Sequence, residues 1–76
     1  MQEEISQKIR AALEATVVNV SIDGNRALIE VVSNQFSGMS RVQKQQAVYA
    51  CIQDYIADGR LHAVTIKADV PAEAAE

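Results

Sequence analysis

One histidine and one cysteine, His62 and Cys51, carry most of the reactive chemistry available to this 76-residue chain. A neutral imidazole nitrogen is a good ligand for iron, zinc or copper and shuttles protons near neutral pH. A lone thiol makes no internal disulfide, and one Cys with one His cannot fill a four-coordinate zinc site. Taken alone, His62 reads as a structural histidine hydrogen-bonded at a sheet edge. Cys51 sits between Val48 and Ile52 in an apolar helical stripe and reads as a buried structural thiol. Asp54 and Asp58 lie one helical turn apart and read as surface charges rather than an acid–base pair. With no Ser-His-Asp set and no glycine-rich phosphate loop, the chain is not expected to be an enzyme.

A second constellation is Gly38-Met-Ser40-Arg41 with Lys44. Residues 36–46 hold two cations and no acid. Ser40 and Gln43 have the spacing of a capping box, which starts a helix by satisfying free N–H groups. Arg41 and Lys44 then stand in its first turn, where the helix dipole disfavours cations by tenths of a kcal/mol. That mild conflict points to a phosphate, an acidic group or a protein partner. The plain reading is a turn, a cap and solvated charges. Gln43, Gln45 and Gln46 add a polar patch beside them. The formal charge of −3 argues against binding nucleic acid through bulk positive charge.

The elements that must position these residues follow from periodicity. Ile5, Ile9, Ala12 and Leu13 recur at helical spacing, with Glu3 and Glu4 in the first turn, and predict a helix over 2–14. Val18, Val20 and Ile22 alternate with polar residues and predict a strand over Thr16–Ile22. Asp23-Gly24-Asn25 predicts a hairpin turn, since Gly and Asn both accept positive φ. Arg26–Ser33 is the return strand, with Ala27, Ile29 and Val31 on one face. Phe36 is expected to plug the core beneath the next connection. A long helix then runs to about Ala57, its stripe made by Val48, Ile52, Tyr55 and Ile56, and Gly59 ends it. Arg60–Ala68 is the last strand, with His62, Val64, Ile66 and Ala68 on one face and Leu61, Ala63, Thr65 and Lys67 on the other. Residues 1–70 are expected to form one domain, and 71–76, rich in Ala and Glu, a short disordered tail. No apolar run approaches the ~18 residues a membrane span needs, and the acidic start is unlike a signal peptide, so a cytoplasmic chain is expected.

Phe36-Ser-Gly-Met-Ser-Arg41-Val-Gln-Lys44, Tyr49, and Tyr55 through Ala68 with its His62-Ala-Val-Thr-Ile-Lys67-Ala strand together resemble the BolA-like family. The resemblance is nearest to its short bacterial, IbaG-like branch and covers roughly residues 2–73. It implies an α+β fold of type II KH-like order, α-β-β-α-α-β, with a three-stranded mixed sheet and helices packed on one face. It further implies an adaptor that pairs with a monothiol glutaredoxin around a [2Fe–2S] cluster shared with glutathione, in iron, redox or stress regulation, with no cofactor when isolated. His62 matches the family's histidine ligand. The family's second ligand comes from the hairpin, where this chain has Arg26, and a guanidinium offers iron no lone pair. The alternative is a KH-like nucleic-acid-binding regulator using Gly38, Ser40, Arg41 and Lys44. The second glycine of a G-x-x-G clamp is Arg41 here, so that clamp is not reproduced. The chain alone is expected to be a monomer, with weak homodimerisation and DNA binding left open.

Overall fold

The computed structural model describes residues 1–71, so all of the expected tail except Pro71 lies outside the described residues. Helix α1 spans Gln2–Leu13, strand β1 Val17–Asp23, strand β2 Arg26–Val32 and a 3-10 turn Asn34–Phe36; helices α2 (Arg41–Ala50) and α3 (Gln53–Ala57) lead into strand β3, Ala63–Asp69. The sheet order is β1-β2-β3, with β1 antiparallel and β3 parallel to the central strand. It is the α+β, mixed three-stranded arrangement expected.

Helix α1 buries Ile5, Ile9 and Leu13, each four residues from the last, while Ala12 stays exposed. On β2 the buried positions are Ala27, Ile29 and Val31, and Val18 and Val20 join them from β1. The register sets Ile29 beside Ile66 and Ala27 beside Val64, so one sheet face gathers the branched residues beneath the helices. On the other face Val17 and Leu28 remain open to solvent. Phe36, fully buried, seals the core under the 3-10 turn.

The hairpin is a two-residue turn, since Asp23 pairs with Arg26. Only Gly24 takes positive φ, at 61°; Asn25 does not. Positive φ at the first central residue alone is the type II′ pattern, which needs glycine there and makes no such demand on Asn25.

The expected long helix is two helices. At the junction the Cys51 and Ile52 N–H groups donate to Val48 and Tyr49 carbonyls, three residues back rather than four. This tighter turn keeps Val48, Ile52 and Tyr55 all inside the core, with exposures of 0%, 0% and 1%. The apolar stripe is continuous across the junction, so periodicity alone could not show the break.

β3 starts at Ala63, later than Arg60, because residues 58–61 are spent on a turn. The Arg60 N–H donates to Asp58 Oδ1 at 3.1 Å, and the Leu61 N–H to the Tyr55 carbonyl at 3.0 Å. Gly59 supplies the positive φ, 84°, that this reversal requires. Leu61 therefore drops into the core instead of lying on the outer sheet face.

Candidate functional site

The backbone at His62 is fixed by the hairpin. Its N–H donates to the Asn25 carbonyl at 2.8 Å, a carbonyl also reached by the Ala63 N–H at 3.3 Å. His62 is exposed, and its Nε2 stands 3.8 Å from where a Gly59 side chain would begin. The ring thus leans toward the turn after α3, within ordinary contact of where a Gly59 Cβ would stand.

Arg26 pairs with Ala63 across β2 and β3, so Arg26 and His62 share one end of the sheet. They do not share a face. Arg26 alternates with buried Ala27 and falls on the side away from the helices, whereas His62 leans toward α3. Among the described residues no group of three or more His, Cys, Asp and Glu side chains is placed to hold a metal ion. The donor set fits one imidazole offered to a site completed by other molecules, and does not fit a self-contained metal centre.

Cys51 does not enlarge that set. It lies at the junction between α2 and α3 rather than inside one helix, and it is half-buried. Its Sγ donates to the Ala47 carbonyl at 3.5 Å, and burial pushes the thiol pKa up.

A cluster that sequence reasoning missed braces the His62 turn. The buried Tyr55 hydroxyl donates to the Glu4 carboxylate of α1. The Arg60 guanidinium lies over the Tyr55 ring, 4.2 Å from its centre, while its Nε donates to Asp58 Oδ2 at 2.8 Å. Lys8 approaches the same ring at 5.4 Å and Asp54 at 3.7 Å. The hydrogen bond from Tyr55 holds the Glu4 carboxyl below its ordinary pKa, and accepting that bond as a carboxylate raises the Tyr55 phenol. Spacing gave no signal for this set, because Glu4 and Tyr55 lie 51 positions apart.

The basic segment has the geometry expected of a capped helix start. Ser40 Oγ accepts from the Gln43 N–H at 3.2 Å, and Gln43 Oε1 accepts from the Ser40 N–H at 2.9 Å. Gly38 turns the chain with φ 81°. Arg41 and Lys44 line a recess of about 320 Å³ that also includes Lys67 and Asp69 from β3. Lys67 is distant in sequence and joins this surface only through the fold.

Residues 9–73 match the family described as BolA-like protein. The acid stress protein IbaG of Escherichia coli K12 is 50% identical over 70 residues, which span 92% of this chain and 83% of that protein. The BolA domain of SufE1 from Arabidopsis thaliana superposes with a TM-score of 0.82 at 30% identity, covering 95% of this chain and 93% of that one. BolA1 from the same plant reaches 0.86 at 24% identity over 95% and 93% of the two chains, a likeness of fold. No helix among the described residues is long and apolar enough to cross a membrane. By sequence over most of its length and by the order and pairing of its strands, the chain belongs to the BolA-like family.

Proposed function

We propose that this chain is a BolA-like adaptor, not an enzyme, whose partner is a monothiol glutaredoxin in the handling of [2Fe–2S] clusters. The observation that carries this reading is His62: an exposed imidazole on a backbone fixed by the Asn25 carbonyl at the head of β3, with no group of three or more His, Cys, Asp and Glu side chains placed to hold a metal among the described residues. An imidazole so placed serves a site to which partner and glutathione thiolates bring the remaining ligands. Replacing thiolate by imidazole makes such a cluster less negative and shifts its potential upward. Arg26, nearby but on the other face, adds positive charge at the same end of the sheet without donating to iron. A role in the response to acid stress is in keeping with the 50%-identical relative named for it.

Mixing the protein with cluster-loaded monothiol glutaredoxin should change the visible circular dichroism, and His62→Ala should abolish that change. An unchanged spectrum, or the same change with His62→Ala, removes the ligand role.

A second reading, a KH-like nucleic-acid binder, draws on the recess where Arg41 and Lys67 converge from different elements. It requires salt-dependent binding of short DNA strands that weakens with Arg41→Ala. Unaltered DNA mobility at low salt would remove it. The negative net charge places this reading second.

A further inference from the structure

Strand β3 lies at the edge of the sheet. Its ladder to β2 opens with the Ala63 N–H donating to Asn25 and closes with the Asp69 carbonyl accepting from the Ser33 N–H at 3.0 Å. In a strand the N–H and C=O of one residue point to the same side, and successive residues alternate. Ala63, Thr65, Lys67 and Asp69 therefore turn their backbone groups toward β2. Val64, Ile66 and Ala68 turn theirs outward, and no described strand pairs with them there. An open edge rich in branched residues is a template for another strand.

Beside this edge a trough of about 430 Å³ runs between α2 and β3. Val42, Tyr49, Val64 and Ile66 line it with glutamines, and no ionised residue is present. Val42 and Tyr49 are 63% and 40% exposed, among the largest exposed apolar side chains of the molecule. At one end the trough shares Gln45 and Ile66 with the recess of Arg41, Lys44, Lys67 and Asp69, three cations against one acid. At the other it shares Tyr49 and Gln53 with a recess that includes Asp54, whose highly exposed carboxylate also meets Lys8 at 3.7 Å. Charge thus runs from positive through neutral to negative along one groove.

We propose that the occupant is a second copy of this chain, with the two β3 strands paired antiparallel about a two-fold axis at Ile66. A two-fold axis reverses the groove, so each positive end meets a negative end and the neutral middle meets itself. In that register Ile66 faces the partner's Ile66, Val64 faces the partner's Ala68, and Thr65 faces the partner's Lys67. No like charges stand opposite one another along the strands. The result is one continuous six-stranded sheet. This surface is independent of the adaptor reading, and either stands without the other.

The test follows sedimentation and amide hydrogen exchange from about 10 µM to about 1 mM protein, since mass action must populate a dimer. The expected result is a reversible dimer whose formation protects the Val64, Ile66 and Ala68 amides, while the Thr65, Lys67 and Asp69 amides, already bonded to β2, are unchanged. Val42→Glu, at an exposed position, should weaken the dimer several-fold with the far-ultraviolet circular dichroism unaltered. Arg41→Glu should weaken it, and adding Asp54→Arg to that chain should restore it. A monomer throughout the range, a dimer without protection at these three amides, or a Val42→Glu dimer as tight as the parent would overturn the proposal. So would binding of DNA or an unrelated peptide that protects the same amides while the free chain stays monomeric.

Discussion

The His62 N–H donates to the Asn25 carbonyl, so a hairpin turn early in the chain sets where the only imidazole stands. Gly24, beside Asn25, has φ 61° and open space around its Cα. Gly24→Ala should therefore act through backbone strain alone, costing about 1–3 kcal/mol. It should also move the His62 imidazole signals in NMR spectra, though the two residues are far apart in sequence. Thermal melts give the first quantity and side-chain spectra the second.

Tyr55 and Glu4 make stability sensitive to pH in two directions. The Glu4 pKa is lowered, first of all by the Tyr55 hydrogen bond, so its contribution is present above the unfolded carboxylate pKa and is lost as pH falls through the folded value. The Tyr55 pKa is raised, chiefly by the same bond, so its contribution is present below the unfolded phenol pKa and is lost as pH rises through the folded value. Tyr55→Phe should lower stability near neutral pH and flatten both limbs. Urea midpoints across the pH range check this, and an unaltered profile would show that the bond carries no net stability.

Ser33 is fully buried and bridges two elements. Its Oγ donates to the Leu13 carbonyl at 2.6 Å, at the end of α1, and accepts from the Gln35 N–H at 3.1 Å. Ser33→Ala leaves both partners without that oxygen and should cost about 1–3 kcal/mol in chemical denaturation.

Glu14 closes α1 in the left-handed conformation, with φ 48°. Glycine adopts that conformation without a Cβ penalty, so Glu14→Gly should stabilise the protein by about 0.5–1 kcal/mol. A higher denaturation midpoint is the expected reading.

Cys51 should react slowly with thiol reagents at neutral pH, because burial raises its pKa and lowers the thiolate fraction. Its rate is expected to fall several-fold below that of free glutathione. Cys51→Ser should leave any cluster-dependent spectrum unchanged, since this thiol is given no ligand role.

The sheet was legible because each strand alternates: Val18 and Val20, then Ala27, Ile29 and Val31, point one way. The Ser40–Gln43 capping box was equally readable, being a contact between residues three apart. What spacing hid depends on tertiary geometry. The α2–α3 junction is invisible in a stripe that stays apolar through Cys51 and Ile52. Ser33 looks like an ordinary strand-end serine until its hydroxyl is seen under α1. Leu61 follows strand alternation in the sequence but enters the core, because Asp58 and Tyr55 bind the preceding turn. For the site, the residue types excluded a four-ligand zinc centre and left His62 a structural histidine, and the ligand role came from the resemblance alone. The separation of Arg26 and His62 onto opposite faces required the register of β2 against β3.

The parallel pairing of β3 with β2 has a consequence for how the protein matures. Antiparallel β1 and β2 can zip from their two-residue turn, but β3 must return across the 3-10 turn and both later helices before Asn25 can hold His62. Closing such a non-local contact is among the slower steps of folding. A nascent or partly melted chain therefore carries a histidine but presents no oriented one. If His62 recruits a partner as proposed, recruitment would be restricted to finished molecules, and the strand order would act as a check on folding.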